Sequence, residues 1–207
     1  LQSASGVGSS ADGCGECMTL CSPAFFDRPT LQVLPELLGK YLIRKKGRTH
    51  YSGFITEAEA YIGFEDKACH AAKGKTERTK VMFEPAGTWY VYLCYGVHWM
   101  LNIVTEKKDF PAAILIRGVQ SEHHYDGPGK LTKAFQIDRS LNGKRAAPKD
   151  GLWIEDRNVK ISPSDIKKGK RIGIHYAGKW QHKLWRYYLS EKGVDPKACH
   201  SERNVVK

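Results

Sequence analysis

The segment FITEAEAY, residues 54–61, alternates apolar and polar side chains with a period of two and decides the fold. Such alternation predicts a β-strand, because successive side chains of a strand point to opposite faces of a sheet. Glu57, Glu59 and Tyr61 therefore share one face of this strand. From these residues alone, each acid is as readily a surface or ion-paired group as a catalytic one.

A second segment, TWYVYLCYGVHWMLN at residues 88–102, indicates a β-hairpin. Its two aromatic and β-branched runs are separated by Tyr95 and Gly96, residues typical of a tight turn. Such a turn places Tyr95 at an exposed tip, while Trp89, Tyr90 and Trp99 are ordinary core or sheet-face residues. The hairpin extends the predicted sheet beyond a single strand.

The rest of the chain predicts more strands than helices. Further strands are expected at residues 41–44, 113–117, 153–155, 171–174 and 184–189, and short helices at residues 30–38 and 127–135. Evenly spaced βαβ units are missing, which argues against a Rossmann-type fold. We therefore predict the α+β class, as a single mixed domain with a curved, mainly antiparallel sheet and flanking helices.

Residues 63–80 are polar and contain Gly74, and we interpret them as a long surface loop carrying Asp66 and His70. A single loop histidine is more often a hydrogen-bonded side chain than a ligand. The spacing of Asp66, Cys69 and His70 matches no zinc motif, and Cys69 beside His70 does not form a nucleophile pair. We predict no metal and no cofactor here.

The ends of the chain differ from its centre in composition. Residues 1–22 are rich in small residues and predict a flexible tail, upstream of or added to the folded unit, which is expected at residues 23–192. Residues 193–207 are expected to be frayed. Cys14, Cys17 and Cys21 have the spacing of half a zinc site or a redox pair, but no second CxxC motif completes a four-ligand site, and we favour no metal.

The composition favours an anionic partner. The chain has 207 residues, with 33 Lys and Arg against 22 Asp and Glu, which gives a net charge of +11. A positive field of this size attracts phosphate polymers or anionic membranes, although many basic proteins bind neither. No apolar run is long enough to span a bilayer, and no segment resembles a signal peptide. We expect an intracellular protein, in a bacterial cytoplasm or a eukaryotic nucleus.

Several motifs in register resemble one known family. TEAEAYIGFEDKACH, MFEPAGTWYVYLCYGVHWMLNIV, AILIRG, GPGKL, RIGI and AGKW occur in the order found in the alkyladenine (3-methyladenine) DNA glycosylases of the mammalian type. The resemblance covers about residues 25–190. It implies a base-excision repair enzyme that flips a damaged purine, of the 3-methyladenine or hypoxanthine type, out of duplex DNA and hydrolyses its N-glycosidic bond.

The resemblance also implies roles for individual residues. Glu59 corresponds to the general base that activates water, and Arg117 to an arginine beside that water. The base pocket is implied to consist of Tyr61, His70, Tyr92 and Asn102, with Tyr95 as the side chain that intercalates into the duplex. Arg78 and Lys130 are expected to contact the DNA backbone. The family is monofunctional, so no lyase activity, metal or cofactor is expected, and we expect a monomer.

The chain departs from the family at a few positions, and other functions stay open. Thr79 follows Arg78 where asparagine is usual, Val97 and His98 replace larger side chains, and the connection between Arg117 and Gly127 is short. These differences bear on DNA contacts and on lesion preference. The alternatives are a non-catalytic nucleic-acid-binding domain with an aromatic stacking platform, and a carbohydrate hydrolase that uses Glu57 and Glu59.

Overall fold

The computed structural model describes residues 18–191. In this range the strands are β1 (Thr19–Leu20), β2 (Tyr41–Lys46), β3 (Thr49–Ile62), β4 (Trp89–Cys94), β5 (His98–Val104), β6 (Ala112–Gln120), β7 (His124–Asp126), β8 (Leu152–Asp156), β9 (Ile166–Gly169) and β10 (Arg186–Leu189). The α-helices are α1 (Pro23–Phe26), α2 (Thr30–Leu37) and α3 (Pro128–Ala134). Short 3-10 turns lie in the connections.

The strands of the described range form one antiparallel sheet, in the order β1-β8-β2-β3-β6-β5-β4. In addition, β7 pairs with β6, while β10 pairs with both β3 and β9. The sheet curls into a half-barrel with helices at its side. The predicted α+β class, with its curved antiparallel sheet, is confirmed.

The long strand β3 is the reason for the curl. Its first half pairs with β2 and its second half with β10 along one edge, while β6 pairs along the other edge. The β3–β6 register shifts on both sides of Glu57, opposite Gly118. Such a bulge bends a strand and re-aims its side chains. Glu57 lies at this bulge, and Glu59 and Tyr61 follow it on the same strand.

The main core lies between the sheet and its helices. Val33, Leu34 and Leu37 of α2 and Leu131 of α3 are fully buried against it. Burying a side chain of this size contributes roughly 1.5–3 kcal/mol. Thr30 does not cap α2 with its side chain, because its hydroxyl instead donates to Glu106 Oε1 at 2.6 Å.

Most predicted elements are present, with two corrections. The hairpin strands β4 and β5, the strand at β6 and the helices α2 and α3 are confirmed. Residues 171–174 form no strand, because the Ile172 N–H donates to the side chain of Glu59 and not to a neighbouring strand. Only the second part of the predicted strand at residues 184–189 is extended, as β10.

The remaining predictions on organisation are only partly visible in the described range. Strand β1, inside the predicted tail, pairs with β8, and Cys21 is a buried free cysteine. Cys14 and Cys17 lie outside the described residues, and the domain boundaries stay predictions. From residue 18 to residue 191, no helix has the length and apolar character that crossing a membrane requires.

Candidate active site

An aromatic cavity opens on one face of the sheet, at the end of β3. It is small in the absence of a ligand and is lined by Tyr61, Ala68, His70, Met82, Tyr90, Tyr92, Asn102 and Ala113. The strand register explains the arrangement, because Tyr61 lies opposite Ala113 and Tyr90 lies opposite Asn102 on neighbouring strands. The connection between β3 and β4 covers this face and supplies His70. All four residues predicted for the base pocket therefore meet in one cavity.

The walls of the cavity are aromatic rings that contact one another edge-to-face or tilted. The ring centroids of His70 and Tyr92 are 4.6 Å apart, and those of Tyr90 and Tyr92 are 5.2 Å apart. His70 Nδ1 shares a hydrogen bond of 3.0 Å with the Tyr90 hydroxyl. Tyr90 was predicted only as a core residue, although its strand register with Asn102 places it in the cavity. Walls of this composition favour a flat aromatic ligand, because aromatic rings pack against other rings.

His70 is electrically neutral at neutral pH. Burial, with a smaller contribution from the nearby Arg78, lowers the pKa of His70 to about 4. Burial also raises the pKa of Tyr90 to about 12 and the pKa of Tyr61 and Tyr92 still further. The cavity therefore presents uncharged rings and hydroxyl groups to a ligand.

Glu59 lies behind the cavity and not in its lining. Its side chain is fully buried, and Oε2 accepts a hydrogen bond of 2.8 Å from the Tyr61 hydroxyl. Oε1 accepts one of 2.8 Å from the Ile172 N–H. Burial raises the pKa of Glu59, although Arg117 and these two hydrogen bonds act in the opposite direction. A buried carboxylate of raised pKa, one side chain away from a cavity, is suited to act as a base.

Arg117 lies between two carboxylates. Its Nε is 2.9 Å from Glu57 Oε1 and 3.4 Å from Glu59 Oε1. Arg186 Nη1 approaches the same Glu57 oxygen at 3.1 Å. The terminal nitrogens of Arg117 have no hydrogen-bond partner among residues 18–191. The two residues predicted to be catalytic, Glu59 and Arg117, are thus in contact.

A buried ion pair that the sequence analysis missed supports the cavity from behind. Asp66 and Arg171 are both fully buried, with contacts of 2.5 and 2.8 Å. The Arg171 guanidinium lies 4.9 Å from the centroid of the Tyr61 ring. Asp66 also accepts the Ala68 N–H at 3.1 Å, which fixes the segment before His70. The prediction of a surface loop is therefore wrong for this part of residues 63–80, because the loop is anchored through a buried charge.

The residues predicted to contact DNA lie outside the cavity. Tyr95, at the β4–β5 turn, is 93% exposed. Arg78 is exposed, with its guanidinium 5.2 Å from the centroid of the Tyr92 ring. Lys130 lies on α3 and forms an exposed ion pair with Asp126 at 2.6 Å. Arg78 therefore adjoins a cavity wall and Tyr95 projects from the adjacent hairpin, whereas Lys130 lies on a separate element.

Asn102 is held rigidly at the cavity. Its Nδ2 donates to the Tyr90 carbonyl at 3.1 Å and to the Met100 carbonyl at 3.3 Å. These bonds leave its side-chain oxygen fixed in direction. A ligand atom near Asn102 therefore meets a group that cannot easily move away.

The described part of the chain holds no cluster of three or more His, Cys, Asp or Glu side chains placed to bind a metal ion. The chemistry that the visible groups can perform is recognition of a flat ring combined with proton transfer by a carboxylate. Glu57 and Glu59 lie on the same strand and contact the same Arg117. They therefore do not approach a bond from opposite sides as a glycosidase pair does.

Residues 24–193 match the family model described as "Methylpurine-DNA glycosylase (MPG)". A protein of Legionella pneumophila (strain Corby), described as "Putative 3-methyladenine DNA glycosylase", is 44% identical over 173 residues, covering 81% of this chain and 92% of that protein. Proteins with the same description from Methanocella arvoryzae and Wolbachia pipientis wMel are each 44% identical over 181 residues. They cover 79% and 86% of this chain, and 89% and 95% of their own lengths.

Proposed function

Because the chain belongs to the methylpurine-DNA glycosylase family, we propose that it removes alkylated and deaminated purines, of the 3-methyladenine and hypoxanthine type, from duplex DNA. The family assigns it to DNA repair and to hydrolysis of N-glycosyl bonds. One observation carries the finer proposal: the aromatic cavity of Tyr61, His70 and Tyr92 lies one hydrogen bond away from the buried carboxylate of Glu59. A purine in this cavity would place its sugar near that carboxylate.

Base flipping accounts for the aromatic walls and for Tyr95. Extrusion of a nucleotide costs a few kcal/mol, least for a damaged or mispaired base, and stacking returns about 1–3 kcal/mol per base. Tyr61 and Tyr92 stack on the flipped base, and His70 completes its surroundings. Tyr95 enters the duplex and fills the space that the nucleotide leaves. Its 93% exposure gives the ring free access to DNA.

The position of Glu59 supports hydrolysis by a water molecule. As general base it orients and deprotonates a water that attacks the anomeric carbon, and its charge stabilises the oxocarbenium-like transition state. The Tyr61 hydroxyl donates to Glu59 Oε2, and entry of the base exchanges this hydrogen bond for one from the water. Arg117 holds the water from the other side. Hydrogen bonds in a catalytic site commonly reach their working geometry only in the complex.

Selection among purines and binding to the duplex involve further residues. Asn102 excludes guanine by crowding the purine edge that carries its amino group, and its two fixed hydrogen bonds support this. Arg78 and Lys130 contact the DNA backbone.

The enzyme is monofunctional, has no lyase activity, needs no cofactor and acts as a monomer inside the cell. The relatives reported above are bacterial and archaeal, so the mammalian type stays a prediction from the motifs.

Glu59→Gln tests the proposal. The variant should still bind a duplex containing hypoxanthine or 3-methyladenine, because the cavity is intact. Single-turnover release of the free base should fall by about 10²–10⁴-fold, the usual contribution of a general base. The control is Glu155→Gln, because Glu155 is a half-buried carboxylate of β8, away from the cavity, that is ion-paired with Arg157.

Two outcomes would contradict the proposal. Unchanged base release by Glu59→Gln would exclude this residue as the base, and salt-sensitive binding without release of any base by the wild-type protein would indicate a non-catalytic binding domain. Borohydride treatment separates water from an amine nucleophile, because a covalent protein–DNA adduct forms only with a lyase.

A further inference from the structure

Glu57 is a charged residue beside the active site to which the proposed reaction gives no role. It lies on β3, two residues before Glu59, and its side chain is 17% exposed. Arg117 of β6 and Arg186 of β10 both reach Glu57 Oε1, at 2.9 and 3.1 Å. A carboxylate that joins three strands beside a catalytic pair can control the geometry of that pair.

The Nε–H of Arg117 has two carboxylates within reach and donates to the one that is not the base. Its nitrogen is 2.9 Å from Glu57 Oε1 and 3.4 Å from Glu59 Oε1, so the hydrogen bond goes to Glu57. Arg186 Nη1 contacts the same Glu57 oxygen at 3.1 Å and so fixes its position from β10. Glu59 instead receives its hydrogen bonds from the Tyr61 hydroxyl and the Ile172 N–H.

We propose that Glu57 is a positioning residue for the hydrolysis, which draws the Arg117 guanidinium away from Glu59 and so leaves Glu59 a stronger base. The inference rests on the proposed role of Glu59. The two acids on this strand face then have different roles. Glu59 deprotonates the water, and Glu57 holds the Arg117 guanidinium, whose charge would otherwise lower the basicity of Glu59. The terminal nitrogens of Arg117 then remain available to the water or to the substrate.

The charges around Glu59 support this division. Arg117 lowers the pKa of Glu59 and Glu57 raises it, and both effects are smaller than that of burial. The other charged or titratable groups nearby are Tyr61 on β3, Arg186 and Tyr188 on β10, and the Asp66–Arg171 pair behind Tyr61. None of these except Arg186 forms a hydrogen bond or ion pair with Glu57 within residues 18–191.

Glu57→Gln is the direct test, because it keeps the shape and removes the charge. Loss of the like charge and closer approach of Arg117 both favour ionised Glu59. The acid limb of the single-turnover pH–rate profile should therefore move to lower pH by about one unit. The rate on the plateau should fall by at most about tenfold, since a weaker base still acts there. A merely structural loss would lower the rate at every pH without moving the limb.

Controls keep the result interpretable. Glu155→Gln removes a carboxylate of 18% exposure that is ion-paired at 3.0 Å with Arg157, and it should leave the limb in place. Arg186→Gln covers the case in which Glu57→Gln does not fold. Because Arg186 no longer competes for Glu57 Oε1, Glu57 should hold Arg117 more firmly, and the acid limb should move to higher pH. An unmoved limb in both variants, with Glu59→Gln inactive, would overturn this inference alone. An active Glu59→Gln would overturn the proposed function itself.

Discussion

His70 shows at the scale of one residue how burial determines the chemistry of the cavity. Because its pKa falls from an ordinary 6.5 to about 4 on folding, the ring stays neutral at neutral pH. A neutral imidazole with Nδ1 engaged by Tyr90 can offer a purine one defined donor or acceptor at Nε2. A protonated ring would instead repel a cationic methylated base.

The lowered pKa predicts a pH dependence of stability. A group whose pKa is depressed by folding contributes stability that is fully present above pH 6.5 and is lost as the pH falls towards 4. Between pH 7 and pH 4.5 the free energy of unfolding of the wild type should fall by on the order of 2 kcal/mol more than that of His70→Gln. Urea unfolding at several pH values measures this difference. The exposed His50, replaced by Gln, is the control, and curves that run parallel for wild type and His70→Gln would contradict the argument.

For individual residues, local sequence was enough to predict that some of them meet in the site, but not others. The period of two in β3 correctly placed Glu59 and Tyr61 near each other, because residues two apart on a strand share a face. The Asp66–Arg171 pair was missed because 105 positions separate its members and neither has a local signal. That Tyr61 covers Glu59 also depends on side-chain packing, about which periodicity says nothing.

The bulge between β3 and β6 determines the site at the scale of the element. Gly118 lies opposite the bulge, and a Cβ atom there would be 2.7 Å from Thr56 Oγ1 and 3.0 Å from Glu57 Cβ. The missing side chain thus lets β6 approach the strand that carries the acids. An alternating sequence cannot reveal such a bulge, because it predicts a regular ladder, and the glycine of AILIRG gives the local hint.

Gly118→Ala should therefore be destabilising and should disturb the Glu57–Arg117 contact. Overpacking of this kind costs about 1–3 kcal/mol, measurable by urea unfolding. Thr56→Ala removes the nearest clashing atom, so the double variant should be more stable than the sum of the two single effects predicts. Strictly additive effects would show that a side chain at position 118 does not contact Thr56.

The strand prediction for residues 171–174 failed for a reason that also acts at this scale. RIGI has the β-branched composition of a strand, but its hydrogen bonds to β3 involve side chains and do not form a ladder. The Ile172 N–H donates to Glu59, and the Arg171 side chain donates to the Ala60 carbonyl at 2.8 Å. A functional segment can therefore have the composition of a strand and the structure of a loop.

The net charge of +11 acts at the scale of the whole molecule. Binding to DNA should release counterions, so the affinity for a lesion duplex and for an undamaged one should both fall linearly with salt on a log–log plot. Arg78 is exposed beside the cavity, whereas the exposed Arg48 lies between β2 and β3, at the opposite end of β3 from Tyr61. The two arginines have the same charge, so only their positions distinguish them.

Arg78→Gln should reduce the slope of that plot by about 1, because it removes the phosphate contact proposed for Arg78, and should weaken binding of both duplexes alike. Arg48→Gln lowers the net charge by the same amount but should leave the slope unchanged. Fluorescence anisotropy in a salt titration from about 50 to about 200 mM measures both slopes. Equal changes in the two variants would mean that the total charge attracts DNA without a defined face. A change for Arg78→Gln alone would place the bound duplex over the end of the half-barrel where the cavity opens.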